Sequence, residues 1–461
     1  MATVVREGLH TLDATVLARR VAARKVRAVE VVEQYLARIS RENRRLNALV
    51  LVDEEGARRR AEALDRRIRR GARVGPLCGV PFTVKDVIET AGLRTTAGAE
   101  ALASHVPARN APAVQRLLDA DAILVGKTNT PAFSADIQCS SPLLGVANNP
   151  WDPTRTSGGS SGGGAAALAS HLTALELGSD HGGSIRIPAA FCGVVGLKPT
   201  AGVVPSRGHL HPVPGAQERD LSIICLGPLG RSVADVRLAY HVLTGTHPRR
   251  RGKAPRVFAL LRRVPGLPVD DDVARALGDA VSTLIRAGHV VDEVTLPEEL
   301  WGRAWAAWQT LIHDDIMGPW NALGRAWMGT VAPQLRTQML QSAQRARETQ
   351  RQVAAALDGM LAQRDAILMP ATLTTAFTHR PMGTPVEVGG ERCDYWLSAA
   401  ATTSLASLTG HPALVLPVGF SREGLPLSVQ LVGSRDGDAS LLNFASDVEA
   451  LHVRHPVNWE R

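Results

Sequence analysis

The sequence lacks the features that would place the protein in a membrane or a secretory pathway. No apolar run approaches the roughly 20 residues that a transmembrane helix needs. The first residues, MATVVREGLHTLDATVL, carry charges where a signal peptide has an unbroken apolar stretch. The five cysteines are scattered and never form a CxxC pair, so they encode neither a disulfide framework nor a zinc site. We predict a cytoplasmic protein without a membrane segment, a metal site or a cofactor.

Aromatic residues are also scarce, at 4% of the 461 residues, and this scarcity bears on the net charge of +8. A surface that binds single-stranded nucleic acid combines clustered Lys or Arg with aromatic side chains that stack on bases. Here the excess charge is arginine spread over predicted helices, with short runs only at 66–70 and 249–251 and no aromatic residues among them. Solvated helix faces explain the charge better than a nucleic-acid partner does.

The hydrophobic pattern alternates between helical and extended segments along the chain. Residues 11–70 and most of 270–365 follow a helical period. Short β-rich runs bounded by Gly and Pro occur in both halves, at 75–88, 121–130, 365–371, 412–420 and 425–433. This distribution predicts an α/β protein in which both halves contribute strands to one sheet.

The most unusual stretch is TSGGSSGGGAAALAS, residues 156–170, which holds two adjacent serines among glycines. A flexible linker explains neither the alanine-rich helix start that follows nor the second glycine turn at 182–183. A phosphate-binding loop at VGKT is disfavoured because Asp121 stands where its first glycine belongs. The G-x-S-x-G motif of α/β-hydrolases fits the letters, but the preceding NNPWDPTRT is a poor strand. These three interpretations fit the stretch poorly, but the sequence alone does not exclude them.

Three segments taken together resemble the amidase signature family of serine hydrolases. They are GVPFTVKDVIETAG (79–92), GGSSGGGAAA (158–167) and GSDHGGSIRIPAAFCGVVGLKPT (178–200). Lys85 lies 75 residues before Ser160, and Ser184 lies 24 residues after it, as the family's spacing requires. Further matching segments, such as GHPALVLPVGF, extend the resemblance over most of the chain, and it weakens across about 255–360.

The resemblance implies an α/β fold with a large, mixed, twisted β-sheet flanked by helices on both faces. It implies a single domain over 1–461, with a helical N-terminal segment at 1–70 and the signature core at 80–245. The region at 255–360 is then a variable helical part that borders the substrate pocket.

The resemblance also assigns the candidate catalytic residues. It makes Ser184 the nucleophile, Ser160 the bridging serine in a cis peptide, and Lys85 the base. The chemistry agrees, since the attacking hydroxyl must lose a proton and the leaving amine must gain one. A lysine can do both only when it is neutral, and burial favours the neutral form. Lys85 lies between the apolar residues Val84 and Val87 and is predicted to be such a lysine.

Backbone and supporting groups complete the predicted site. Four N–H groups of the second glycine turn are predicted to form the oxyanion hole, those of His181, Gly182, Gly183 and Ser184. Three further residues match family positions that are expected to pin the two turns together, namely Ser161, Asp180 and Arg186. A purely structural role for these three is equally open.

A tryptophan cluster lies where the resemblance is weakest. Trp301, Trp305 and Trp308 follow an i, i+4, i+7 spacing and therefore share one helix face. Core packing or a contact in a homodimer would explain them. The alternative hypothesis is that they form the wall of an apolar or aromatic acyl pocket.

The resemblance implies an amidase that hydrolyses a small-molecule carboxylic amide, and esters as well, through a serine acyl-enzyme. A hydrophobic or aryl amide is the predicted substrate. The alternative is an amidotransferase A-type subunit, which releases ammonia from glutamine for a partner acting on charged tRNA. Such subunits usually carry Gln where this chain has Pro188, so a stand-alone amidase is favoured. A family member that has lost catalysis and serves as a binding protein remains a further alternative.

Overall fold

The computed structural model describes residues 8–210, 220, 223–246, 255–317 and 333–451. Within these ranges, eleven strands form one continuous sheet and four more form two short hairpins. The strands are β1 (Leu49–Val52), β2 (Pro81–Lys85), β3 (Ile123–Thr128), β4 (Ser140–Ser141), β5 (Gly145–Val146), β6 (Leu175–Asp180), β7 (Val195–Lys198), β8 (Cys225–Gly230), β9 (Val257–Leu260), β10 (Val290–Glu293), β11 (Ala366–Pro370), β12 (Val386–Val388), β13 (Glu391–Cys393), β14 (Ala413–Phe420) and β15 (Pro426–Val432).

The order of strands in the large sheet is β1-β3-β2-β6-β8-β7-β14-β15-β11-β9-β10. Parallel pairs join β3, β2 and β6 at one side and β11, β9 and β10 at the other. The strands between these groups, and β1 at the edge, pair antiparallel. Both halves of the chain therefore share one mixed sheet, which confirms the predicted fold class.

Helices cover both faces of the sheet. Those described are α1 (Ala14–Ala22), α2 (Ala28–Leu46), α3 (Glu54–Arg69), α4 (Pro112–Asp119), α5 (Gly162–Ala169), α6 (Arg186–Cys192), α7 (Val233–Thr244), α8 (Asp271–Arg286), α9 (Glu298–Met317), α10 (Pro333–Leu361), α11 (Leu397–Thr409) and α12 (Asp438–Ala450). None of these helices has the length and apolar character that crossing a bilayer requires.

Alternating side chains on the central strands divide the core into two layers. On β11, Ile367 and Met369 join the larger hydrophobic cluster, which includes residues of α2, α5, α6, α9 and α11. Their neighbours Ala366 and Leu368 point to the opposite face and pack with residues of α7, α8 and α12. Successive strand residues face opposite sides of a sheet, so a strand buried on both faces is apolar throughout. This explains the continuous run AILMP in β11.

Two short strands interrupt segments that the sequence predicts to be helical. The run LVLV of β1 separates α2 from α3 inside residues 11–70, and it pairs with β3 at the edge of the sheet. Strand β10 separates α8 from α9 inside residues 270–365. Four-residue strands are too short to disturb a helical period read over longer windows. Trp320 and Trp327, also in this region, lie outside the described residues.

Candidate active site

Two glycine-rich turns and one strand end meet at the same edge of the sheet. Strands β2 and β6 are parallel neighbours, so Lys85 at the end of β2 lies on the same edge as the turn that follows β6. That turn carries Ser184, and the turn before α5 carries Ser160. The peptide bond between Gly159 and Ser160 is cis. The Ser161 N–H donates to the Ser184 carbonyl oxygen at 3.0 Å, which joins the two turns.

Glycine is required in both turns because other parts of the chain approach the backbone closely. A Cβ atom on Gly159 would lie 2.4 Å from the Gln138 carbonyl oxygen. On Gly182 it would lie 2.1 Å from the ring of Trp308. Such distances are far below van der Waals contact, so a side chain at either position would displace its neighbour.

Lys85 is fully buried and contacts two serine hydroxyls. Its Nζ atom donates to Ser160 Oγ at 2.6 Å and to Ser179 Oγ at 3.0 Å. Burial disfavours the ammonium form and lowers the pKa of Lys85 to about 7. A general base with a pKa near the working pH is well placed to accept and return a proton. The structure therefore places Lys85 beside Ser160 as the sequence predicts, in surroundings that favour a neutral amine.

A buried ion pair anchors the second glycine turn to the rest of the core. Arg186 donates to both carboxylate oxygens of Asp180, at 3.0 and 2.9 Å, and both side chains are fully buried. Burial opposes ionisation of Asp180, but the charge and hydrogen bonds of Arg186 outweigh it and hold the pKa of Asp180 below its ordinary value. Arg186 also donates to the Thr403 carbonyl oxygen and to Ser407 Oγ, both on α11. The three predicted supporting residues thus link the turns to each other and to α11.

One predicted donor of the oxyanion hole is used elsewhere. The Gly183 N–H donates to Asp180 Oδ1 at 2.8 Å, because a buried carboxylate needs hydrogen-bond donors on both oxygens. No hydrogen-bond acceptor within the described ranges meets the N–H of His181, Gly182 or Ser184. Three of the four predicted donors are therefore not bonded to other atoms of the described chain.

The tryptophan cluster reaches this turn through Trp308. The indole N–H of Trp308 donates to the His181 carbonyl oxygen at 3.1 Å, and its ring covers Gly182. The ring of Trp305 packs on that of Trp308 with centroids 4.9 Å apart, and Trp301 stacks on Trp305 at 6.2 Å. The cluster thus connects α9 directly to the second glycine turn.

Two buried polar side chains beside Lys85 were not predicted from the sequence. Ser179 Oγ accepts from Lys85 Nζ, and His209 Nε2 lies 3.0 Å from the same hydroxyl oxygen. Ser179 belongs to the GSDHGGS motif, five residues before Ser184, so the motif offered a signal for it. His209 lies 25 residues beyond Ser184 and has no local signal.

A second group of buried charges lies on β3 and β6, the two strands that flank β2, and on Asp86, which follows Lys85. On β3, Lys127 Nζ lies 3.7 Å from Asp86 Oδ1, and Thr128 donates to the Glu176 carboxylate of β6 at 2.7 Å. Burial lowers the pKa of Lys127 to about 8 and raises that of Glu176 to about 7. Among the residues that the structure describes, no group of three His, Cys, Asp or Glu side chains could hold a metal ion.

Comparison with known proteins defines the class of this chain. A family model described as Amidase matches residues 30–317 and 320–442, so the chain belongs to the amidase signature family. Among curated relatives, the A-type subunit of glutamyl-tRNA(Gln) amidotransferase from Chloroflexus aurantiacus is 32% identical over 97% of this chain and 99% of its own length. The protein of the same name from Alkaliphilus metalliredigens is 31% identical over 91% of this chain and 92% of its own length.

Solved structures of amidases share the fold over nearly the whole chain. The crystal structure of an amidase superposes with a TM-score of 0.84 at 31% identity, covering 96% of this chain and 100% of the other. A bacterial aryl acylamidase of the amidase signature family has a TM-score of 0.80 at 25% identity, covering 96% of this chain and 97% of its own. The family predicted from the three sequence segments is confirmed.

Proposed function

We propose that this chain cleaves the C–N bond of a carboxamide through a serine acyl-enzyme, with Ser184 as nucleophile, Ser160 as proton bridge and Lys85 as base. The observation that carries the proposal is the buried Lys85 amine, whose Nζ lies 2.6 Å from Ser160 Oγ. The turn that carries Ser160 is hydrogen-bonded to the turn that carries Ser184. A lysine with a lowered pKa can hold the proton that the nucleophile loses.

In the proposed first half-reaction, Ser184 Oγ attacks the amide carbonyl carbon, and its proton passes through the Ser160 hydroxyl to Lys85 Nζ. The carbonyl oxygen becomes an oxyanion, which the N–H groups of His181, Gly182 and Ser184 stabilise. When the C–N bond breaks, the proton returns by the same route to the leaving nitrogen. Water then attacks the acyl-enzyme with the same proton transfers and releases the carboxylic acid.

Two substrate classes are candidates, and different observations support them. Trp308 beside Gly182 supports a hydrophobic or aryl amide, and one similar solved structure is an aryl acylamidase. The names of the curated relatives support an amidotransferase A-type subunit, and at 32% identity over almost the whole chain they support it more strongly than stand-alone hydrolysis. Pro188 argues in the opposite direction. Under the amidotransferase hypothesis, glutamine supplies the carboxamide and the ammonia passes to a partner protein.

Labelling with a fluorophosphonate probe tests the shared chemistry. We expect the wild type to gain the mass of one probe molecule less HF, because fluoride leaves as Ser184 Oγ bonds to phosphorus, and Ser184→Ala to gain none. An adduct on both proteins would place the nucleophile elsewhere. No adduct on either, together with no cleavage of any amide, would favour a binding protein that has lost catalysis.

Product release from a substrate panel separates the two candidates. Ammonia release from glutamine that rises when copurified proteins are present would support the amidotransferase hypothesis. Release of aniline from aryl amides by the chain alone, with glutamine inert, would support the stand-alone amidase. In both assays Ser184→Ala provides the background rate.

Trp308→Ala tests the contribution of the tryptophan cluster to substrate choice. Because the ring covers the second turn, we expect KM for an aryl amide to rise about tenfold while KM for a small aliphatic amide changes little. Trp301→Ala is the matched control, since this tryptophan of α9 is similarly buried and is two rings away from the turn. If KM changes equally in both variants, or in neither, the tryptophan cluster only packs the core and does not contribute to substrate choice.

A further inference from the structure

His209 belongs to a buried hydrogen-bonded chain that passes through the candidate base. The chain runs from Ser160 Oγ to Lys85 Nζ, to Ser179 Oγ and to His209 Nε2, with successive atoms 2.6, 3.0 and 3.0 Å apart. Ser179 is 3% exposed and His209 is 2% exposed, so bulk water does not compete for these bonds.

The backbone holds His209 beside the residues that follow Lys85. The Leu210 N–H donates to the Val87 carbonyl oxygen at 2.8 Å, and the Glu89 N–H donates to the Gly208 carbonyl oxygen at 2.8 Å. These two bonds flank His209 and fix its backbone against the segment that leaves β2. A histidine placed in this way has a defined position relative to Lys85.

The donors and acceptors of this chain limit the ways in which its hydrogen bonds can run. The 2.6 Å contact joins Lys85 Nζ as donor to Ser160 Oγ while the amine is protonated. A neutral lysine amine has two N–H donors and one lone pair, so the Ser160 hydroxyl can then donate across the same contact, and only the lone pair can accept the proton that arrives through Ser160. The Ser179 hydroxyl can either accept an N–H of Lys85 or donate its own proton to that lone pair. A neutral imidazole with its proton on Nδ1 accepts at Nε2, and so draws the Ser179 proton away from Lys85.

We propose that His209 is a positioning residue that acts through Ser179 and keeps the lone pair of Lys85 available to Ser160. This inference rests on the proposed function, because it assigns His209 a part in the same proton transfer. Ser179 orients the amine directly, and His209 sets the direction of the Ser179 hydrogen bond. Neither residue contacts the reacting atoms of the substrate.

A double-mutant cycle tests the inference. We expect His209→Phe to lower kcat roughly tenfold with KM unchanged, since one directed hydrogen bond is lost. Ser179→Ala should lower kcat at least as much, and the double variant should be no slower than Ser179→Ala alone, because His209 acts only through Ser179. His209→Gln, which retains an acceptor near the position of Nε2, should recover most of kcat. The rate of fluorophosphonate labelling should follow the same order.

His411→Phe controls for the loss of a buried histidine, because His411 is fully buried and bonded to Thr409 and Asp358 instead. We expect this variant to lose stability and to keep its kcat. If the wild type is active but His209→Phe keeps the wild-type kcat, the inference is overturned and the proposed function stands. The same holds if the effects of His209→Phe and Ser179→Ala on kcat are independent of each other. A wild type that neither hydrolyses amides nor reacts with the probe would overturn both.

Discussion

Lys85→Met is expected to lower kcat/KM for amide cleavage by about 10²-fold to 10⁴-fold, the range typical of removing a general acid–base. Methionine fills a similar buried volume without an ionisable group, so the variant should fold, and circular dichroism would verify this. The measurement is the initial rate of product release at saturating and at low substrate concentration. A residual kcat/KM within tenfold of the wild type would contradict the assignment of Lys85 as the base.

The pH dependence of the wild type gives a second measure of the same residue. Because Lys85 must be neutral to accept a proton and its pKa is lowered to about 7, kcat/KM should rise with pH through that value and then level off. In Lys85→Met the rising limb should disappear along with most of the activity. A wild-type profile without an ionisation near neutrality would argue that a different group accepts the proton.

Lys85→Met should raise the stability of the fold although it lowers activity. The folded pKa of Lys85 is lower than the unfolded value, so the unfolded chain binds more protons between the two values and wild-type stability rises with pH across that window. The cost of burying this lysine is therefore greatest below about pH 7. We expect Lys85→Met to be more stable than the wild type at pH 6 and to lose that advantage toward pH 10.

Lys127→Met is the matched control for both measurements. Lys127 is also fully buried, but it donates to the Ile88 carbonyl oxygen and to Thr95 instead of to Ser160. Its loss removes the partner of Asp86, so the variant should be less stable while its folded fraction keeps most of kcat. A loss of kcat equal to that of Lys85→Met would mean that any disturbance of these strands abolishes activity.

The parts of this molecule that the sequence predicts are those with a local signal. Lys85, Ser160 and Ser184 stand in motifs with fixed spacing, and the structure brings their segments to one edge of the sheet. Continuous apolar runs such as that of β11 indicate strands that are buried on both faces. The strand β1 gave no such signal, because four residues inside a helical segment become a strand only by pairing with β3.

The differences at the site have two causes, one local and one tertiary. The Gly183 N–H was predicted from the motif to bind the oxyanion, but the position of the Asp180 carboxylate in the folded turn decides its partner. His209 approaches Lys85 because residues 208–210 bond to the chain that leaves β2, a contact between segments more than 100 residues apart. Periodicity and motif spacing carry no information about such contacts.

Arg186→Met is expected to lower the free energy of unfolding by about 3–5 kcal/mol, the usual cost of removing one partner from a buried ion pair. The change leaves the Asp180 carboxylate buried without its cation, and it removes the hydrogen bonds that Arg186 itself donates to Thr403 and Ser407 on α11. Urea or thermal unfolding measures the effect. Arg59→Met provides the comparison, because the ion pair of Arg59 with Glu55 is mostly exposed and should contribute little.

The pH dependence of this loss identifies its cause. Without Arg186, the buried Asp180 should take up a proton in the folded state, whereas in the unfolded chain it stays ionised above its ordinary pKa of 3.8. The folded variant then binds more protons than the unfolded one, so its stability relative to the wild type falls as pH rises, by up to about 1.4 kcal/mol per pH unit. A deficit that does not change between pH 5 and pH 8 would point to lost packing of the Arg186 side chain, not to an unpaired charge. Since Asp180 also holds the Gly183 N–H of the turn that carries Ser184, a charge-dependent loss would tie the stability of the fold to the geometry of the candidate nucleophile.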